Sequence, residues 1–150
     1  MSNEAVEAKI RTLLETLGEP LPPGAGPPEL ERLRAEVRTR FALEAPGDWL
    51  EFLGRMNGFE LDGLSLFPAA PSDDGAGGVL DSNAEIRLGS WPSERLLLGS
   101  ESASLYLVHE APAGRYLLVD RTSKILVSRP TFHQIVSATL RRCHPNLLGG

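Results

Sequence analysis

The sequence has a single cysteine, Cys143, so it can form no intramolecular disulfide and no cysteine-rich metal site. That usage fits a reducing compartment, though a periplasmic protein can also lack disulfides. Lysine is nearly missing as well: Lys9 and Lys124 stand against thirteen arginines. There is no basic excess, with 15 basic and 20 acidic residues and a formal charge of -5. Nucleic-acid binders usually carry the opposite balance. The acidic sign instead favours encounter with a basic partner, because opposite charges steer association. No apolar run approaches the roughly 20 residues of a membrane span. The N-terminus, M-S-N-E-A-V-E-A-K-I, is acidic where a signal peptide is basic and apolar, so a cytoplasmic protein is expected.

Chemical motifs are equally scarce. There is no G-x-S-x-G nucleophile elbow. The glycines at 75–78 lack the lysine and the preceding strand of a phosphate loop. Asp73 and Asp74 sit in a D-D-G run, but the further ligands and closing glutamate of a calcium loop are missing. His109, His133 and His144 are too far apart for zinc-ligand spacing, and only Cys143 and His144 are adjacent. A nucleophilic cysteine needs an oriented base, and no companion motif supplies one. These gaps predict no enzyme, no cofactor and no metal. Basic residues interleaved with exposed aromatics, as single-strand nucleic-acid binding needs, are also missing.

What is present is an ordinary globular composition, 41% hydrophobic and 23% charged, in 150 residues, which suits one domain. The organising stretch runs from Ala45 to Pro68. Trp49, Phe52, Leu53 and Met56 fall on one helical face. Asp48 and Glu51 have the spacing of a capping box, and Asn57-Gly58 suits a left-handed helix end. Phe59, Leu61, Leu64 and Leu66 then read as one half-buried strand.

Before this stretch, residues 3–17 form a helix with Val6, Ile10, Leu13, Leu14 and Leu17 along one stripe. E-P-L-P-P-G-A-G-P-P over 19–28 cannot be helix or central strand, and reads as an extended strap over the main body. A second helix follows from about Pro28 to Phe41. Its proline and glutamates suit the start and its arginines the C-terminal half. Residues 1–27 thus make a helix and strap, and 28–144 the core.

Beyond the central stretch, residues 80–87 predict a short helix or turn. Arg95–Gly99, Ser104–His109, Arg115–Asp120 and Lys124–Ser128 are four apolar runs separated by turn-forming segments, the pattern of antiparallel hairpins. Thr131 is placed to cap a last helix with Phe132, Ile135, Val136 and Leu140 inward. The layout is α+β: an antiparallel-rich sheet of about five strands, flanked by N-terminal helices and a C-terminal helix. Strands apolar on both faces imply that helices cover one side.

The order L-E-A-P-G-D-W-L-E-F-L-G-R-M-N-G, then F-E-L-D-G-L-S-L-F-P, resembles the SUKH superfamily, within it the YrhA-like branch. The matching positions are Pro46, Trp49, Phe52, Leu53, Asn57, Gly58, Gly63, Leu64 and Pro68, with Asn83, the 96–99 and 106–108 pair and the Thr131 helix beyond them. The resemblance spans about residues 28–142. Trp49 stands where a tyrosine is usual, and S-E-S-A at 100–103 replaces a glycine-aspartate turn. The resemblance implies an α+β fold and an immunity role, in which a cognate toxin or effector is neutralised by stoichiometric binding without catalytic residues.

The residues themselves offer one surface for such a partner. Glu60, Asp62, Asp73, Asp74, Asp81 and Glu85 crowd one quarter of the chain, which holds one arginine, Arg87. Charge runs commonly serve only to keep a surface solvated. The sharper reading is an acidic face for a basic protein, with Trp91 as an aromatic anchor if exposed and as core if buried. The expected partner is a protein, with no nucleic acid and no membrane, bound by a monomer or weak dimer. The alternative is a cytoplasmic regulatory scaffold or ligand-binding domain outside any toxin system.

Overall fold

The computed structural model of the chain describes residues 2–70, 78–102 and 104–146. In chain order these form α1 (Asn3–Thr16), α2 (Pro27–Phe41), α3 (Gly47–Arg55), β1 (Phe59–Leu61), β2 (Leu64–Leu66), α4 (Val79–Ile86), β3 (Arg95–Glu101), β4 (Leu105–Glu110), β5 (Arg115–Asp120), β6 (Ile125–Arg129) and α5 (Phe132–Cys143). The six strands form one antiparallel meander in the order β1-β2-β3-β4-β5-β6. The class is α+β, with six strands where about five were expected.

The extra strand comes from a turn inside the predicted strand at 59–66. Asp62 and Gly63 both take positive φ, 47° and 100°, the geometry of a two-residue hairpin turn. Leu61 therefore pairs with Leu64, and Phe59 with Leu66. Gly58, just before, takes φ 82°.

The sheet is apolar on both faces for a structural reason. On one face, Leu96, Leu98, Leu107, Tyr116 and Leu118 join a single core with residues of all five helices. Val6, Ile10 and Leu14 of α1 belong to it, so the N-terminal helix is part of the main body. Phe52 is the hub of its aromatic part, with ring centroids 5.0 Å from Phe132, 5.8 Å from His133 and 6.1 Å from Phe59. On the other face, Leu97, Val108, Leu117 and Val119 are covered by Ile86 of α4, Trp91, Tyr106 and Phe67.

Asp48 does not complete the capping box expected of it. Pro46 is the N-cap of α3, and it makes no side-chain capping bond. The Asp48 carboxylate instead accepts the Trp49 N–H (3.1 Å), the Phe132 N–H at the start of α5 (2.8 Å) and the Tyr116 hydroxyl. One carboxylate thereby serves the N-terminal ends of two helices, where a negative charge is favoured. Thr131 caps α5 as predicted, its hydroxyl accepting the Gln134 N–H at 3.3 Å.

The strap is held by its backbone. The Ala25 N–H donates to the Leu53 carbonyl (2.8 Å), and the Asn57 N–H to the Pro23 carbonyl (3.0 Å). Prolines give the strap few donors of its own, so the few bonds it makes decide its course.

Candidate functional site

The strap, the β1–β2 hairpin and α4 enclose a cleft of about 650 Å³. Pro20, Pro22 and Pro23 form one wall, and Ser82 and Glu85 of α4 the other. Phe59 and Leu66 of the hairpin contribute the apolar part of the floor. Among the described residues four carboxylates line it, those of Glu19, Glu29, Glu60 and Glu85, and no lysine, arginine or histidine does. Glu60 is steadied by the Ser65 hydroxyl, which donates to its Oε1 at 2.8 Å. Asn57 fixes the rim, its Oδ1 accepting the Ala69 N–H at 2.8 Å.

Next to the cleft, on the second face of the sheet, lies a groove of about 410 Å³. Phe67, Ser82 and Glu85 line both. Tyr106 and Arg121 form the far side. Trp91 stands behind Tyr106, ring edge to ring face at 5.6 Å and 87°, and its indole N–H donates to the Arg95 carbonyl at 2.8 Å. The indole is half-buried and its one donor is satisfied internally, so it shapes Tyr106 as much as it presents a surface of its own.

Asn83 keeps α4 in place. It is fully buried, and its amide donates to the Val79 and Leu97 carbonyls and accepts the Leu97 N–H, each at 2.8 Å. Arg87, one turn on, donates to Asn83 Oδ1 (2.7 Å) and to the Arg95 carbonyl (2.9 Å). Its guanidinium also lies 4.6 Å over the Phe41 ring of α2. Burial holds the Arg87 guanidinium below its ordinary value.

The acidic residues singled out in sequence are only partly gathered here. Glu60 and Glu85 line the cleft. Asp62 lies at the hairpin turn, where its carboxylate meets His144 Nδ1 at 3.3 Å. Asp81 is exposed in the first turn of α4, and it lines neither depression. Asp73 and Asp74 lie outside the described residues. Glu19, Glu29, Phe67 and Tyr106 were missed. The signal for the first two was the proline run between them, which had to lie on the surface somewhere.

The groups weighed for chemistry are placed elsewhere. His144 is held between two carboxylates, with Nε2 3.0 Å from Glu101 and Nδ1 3.3 Å from Asp62. Its two nitrogens face opposite ways, so the three side chains do not converge on one point. Burial and the nearby Glu101 carboxylate push the Cys143 thiol above its usual range, the reverse of an activated nucleophile. His109 and His133 are buried. Among the described residues, no three His, Cys, Asp or Glu side chains are gathered closely enough to hold one metal ion. The cleft's carboxylates are thus spread across a surface rather than focused on an ion. Spread carboxylates beside aromatic side chains suit guanidinium and ammonium groups of another macromolecule. Among the described residues no helix is long and apolar enough to cross a membrane. No protein-family model matches the chain, and no curated protein matches its sequence.

Proposed function

We propose that this is an immunity-type binding protein of the SUKH superfamily, acting in the cytoplasm, that neutralises a basic cognate toxin or effector by stoichiometric binding. The cleft between strap, hairpin and α4 is the docking face, and the groove beyond it receives an apolar or aromatic anchor. The observation that carries this reading is the charge of the cleft: among the described residues four carboxylates line it without one cation. Glu60 and Glu85 supply steering for lysines and arginines, and Tyr106 and Phe67 the apolar contact. The protein makes and breaks no covalent bond, and works as a monomer or weak dimer.

The test is co-expression with the product of the neighbouring gene, followed by calorimetry on the purified pair. A one-to-one complex with loss of toxicity supports the reading. The Glu60→Lys/Glu85→Lys variant is expected to associate about tenfold more slowly at low salt, with the difference shrinking as salt rises. An unchanged rate removes the cleft from the interface, and no neutralisation by any neighbouring product ends the immunity reading.

The groove at Tyr106 favours a second reading, a regulatory scaffold or ligand-binding domain outside a toxin system, because its volume is that of a small-molecule site. In that case Tyr106→Ala abolishes binding of a small ligand while Glu60→Lys leaves it intact.

A further inference from the structure

Among the described residues the sheet order leaves β6 paired on one side only, with β5. Beside it lies a second groove of about 650 Å³, sharing no residue with the acidic cleft. Val127 and Arg129 of β6 line it from the same face of the strand. From α5 come Gln134, Ser137, Ala138 and Arg141, at i, i+3, i+4 and i+7. They form the side of that helix opposite its buried Phe132, Ile135, Val136 and Leu140.

Here the charge is inverted. Among the described residues, Arg129, Arg141 and Arg142 line the groove and no carboxylate does, in a chain of formal charge -5. Arg141 and Arg142 lie in the last turn of α5, where cations complement the helix dipole. That accounts for two of the three. It does not account for Arg129, which arrives from the end of a strand and whose hydrogen bond is to the neighbouring Ser128 carbonyl. No ion pair neutralises any of the three among the described residues.

We propose that this groove docks an acidic peptide segment, which adds as an extended strand along the free edge of β6. Three observations favour a peptide over a free anion or a polynucleotide. An unpaired strand edge offers backbone donors and acceptors, which only another backbone matches in series. Val6, Val127 and Ala138 share the groove with the arginines, so alternating apolar and acidic side chains both find contacts. Guanidinium groups bind carboxylates through paired hydrogen bonds and repel basic strands, so the arginines guard the edge against indiscriminate pairing while admitting acidic sequences. The acidic cleft and this groove then take ligands of opposite sign on separate surfaces.

The experiment pans a random peptide library displayed on phage against the wild-type protein, with the Arg129→Gln/Arg141→Gln/Arg142→Gln variant as depleting bait. Enriched sequences are expected to alternate Asp or Glu with apolar residues. The leading peptide, synthesised with a fluorophore, is expected to bind the variant at least about tenfold more weakly. Amide shifts should move along β6 and the outer side of α5, and methylation of alternate peptide nitrogens should abolish binding. The proposal is overturned if no arginine-dependent sequence emerges, or if the methylated peptide binds as well. It is equally overturned if inorganic phosphate or oligothymidylate binds the same arginines more tightly, or if they instead mediate self-association in the ultracentrifuge. Circular dichroism checks that the variant folds; should it not, Arg141→Gln, at an exposed position, and the methylated peptide decide the matter.

Discussion

The side-chain amide of Asn83 pairs with both backbone groups of Leu97, donating to its carbonyl and accepting its N–H, each at 2.8 Å. Leu97 lies in β3 short of the stretch, 99–101, where β2 pairs with that strand. Asn83 thus acts as one residue of strand where the neighbouring strand has ended, and with Arg87 it fastens α4 to the sheet. Both Leu97 groups are buried, so removing the amide leaves them without partners. Asn83→Ala is expected to lower stability by about 2–4 kcal/mol, since each buried polar group left unpaired costs roughly 1–3 kcal/mol. Asn83→Asp should do similar harm at neutral pH, because it sets a carboxylate against the Leu97 carbonyl. Urea unfolding measures both. Loss of protection at the Leu97 amide in hydrogen exchange would localise the effect, and an unshifted urea midpoint for Asn83→Ala would show that α4 is held by other means.

Gly24 runs so close to α3 that a Cβ there would lie 1.9 Å from the Gly54 carbonyl oxygen. Backbone cannot yield as a flexible side chain does, so Gly24→Ala must lift the strap. The expected loss is about 1–3 kcal/mol, the usual range for overpacking. Exchange at the Ala25 amide, bonded to Leu53, and at the Asn57 amide, bonded to the strap's Pro23 carbonyl, should accelerate first. Gly47→Ala is the control, because nothing lies within 4 Å of its Cβ and its φ is ordinary. Because the strap carries Glu19 and one wall of the cleft, Gly24→Ala should weaken partner binding where Gly47→Ala does not.

The four long strands and the helices were legible in sequence because each is set by its own local pattern. The hairpin at 59–66 was also written there and misread. Leu61 and Leu64 are three apart, a slip in the alternation of Phe59, Leu61, Leu64 and Leu66, and Asp-Gly fills the slip. Asp48 was misread for another reason. Its partners Tyr116 and Phe132 lie 68 and 84 residues away, and a local capping rule cannot see them. The cleft was half legible. Glu60 and Glu85 belonged to a visible run of acids, whereas Glu19 and Glu29 joined them only once the strap had been laid across the hairpin.

His109 should leave an acid signature. It is 9% exposed, its ring lies 4.8 Å from Tyr116, and its Nδ1 has no hydrogen-bond partner among the described residues. Burial pulls its affinity for protons below the ordinary range, against weaker opposing pulls from Asp48 and Glu110. The unfolded chain therefore takes up a proton near pH 6.5 while the folded one does not. Stability is full above that pH and falls as pH drops towards the lower folded value, by at most about 1.4 kcal/mol per pH unit for one proton. His109→Phe keeps the ring against Tyr116 and removes the titration. Urea midpoints across mildly acid pH should fall less steeply in that variant than in the wild type, and parallel curves would contradict this.

Tyr116 should leave the opposite signature in alkali. Burial, with the Asp48 carboxylate at its hydroxyl, raises its pKa far beyond the ordinary phenol range. The unfolded chain releases that proton near pH 10 and the folded chain holds it. The linked stability is fully present below pH 10 and is lost as pH rises towards the folded value. Of the two tyrosines, Tyr116 is expected to ionise only as the protein unfolds, seen as ultraviolet absorbance rising together with loss of the far-ultraviolet dichroism. Tyr116→Phe removes the hydroxyl from Asp48 but leaves the Phe132 N–H bond, so α5 keeps its start. That variant should survive to higher pH than the wild type and lose the coincident absorbance step. Ionisation of both tyrosines ahead of unfolding would mean that the Tyr116 hydroxyl is open to solvent and that Asp48 does not hold it.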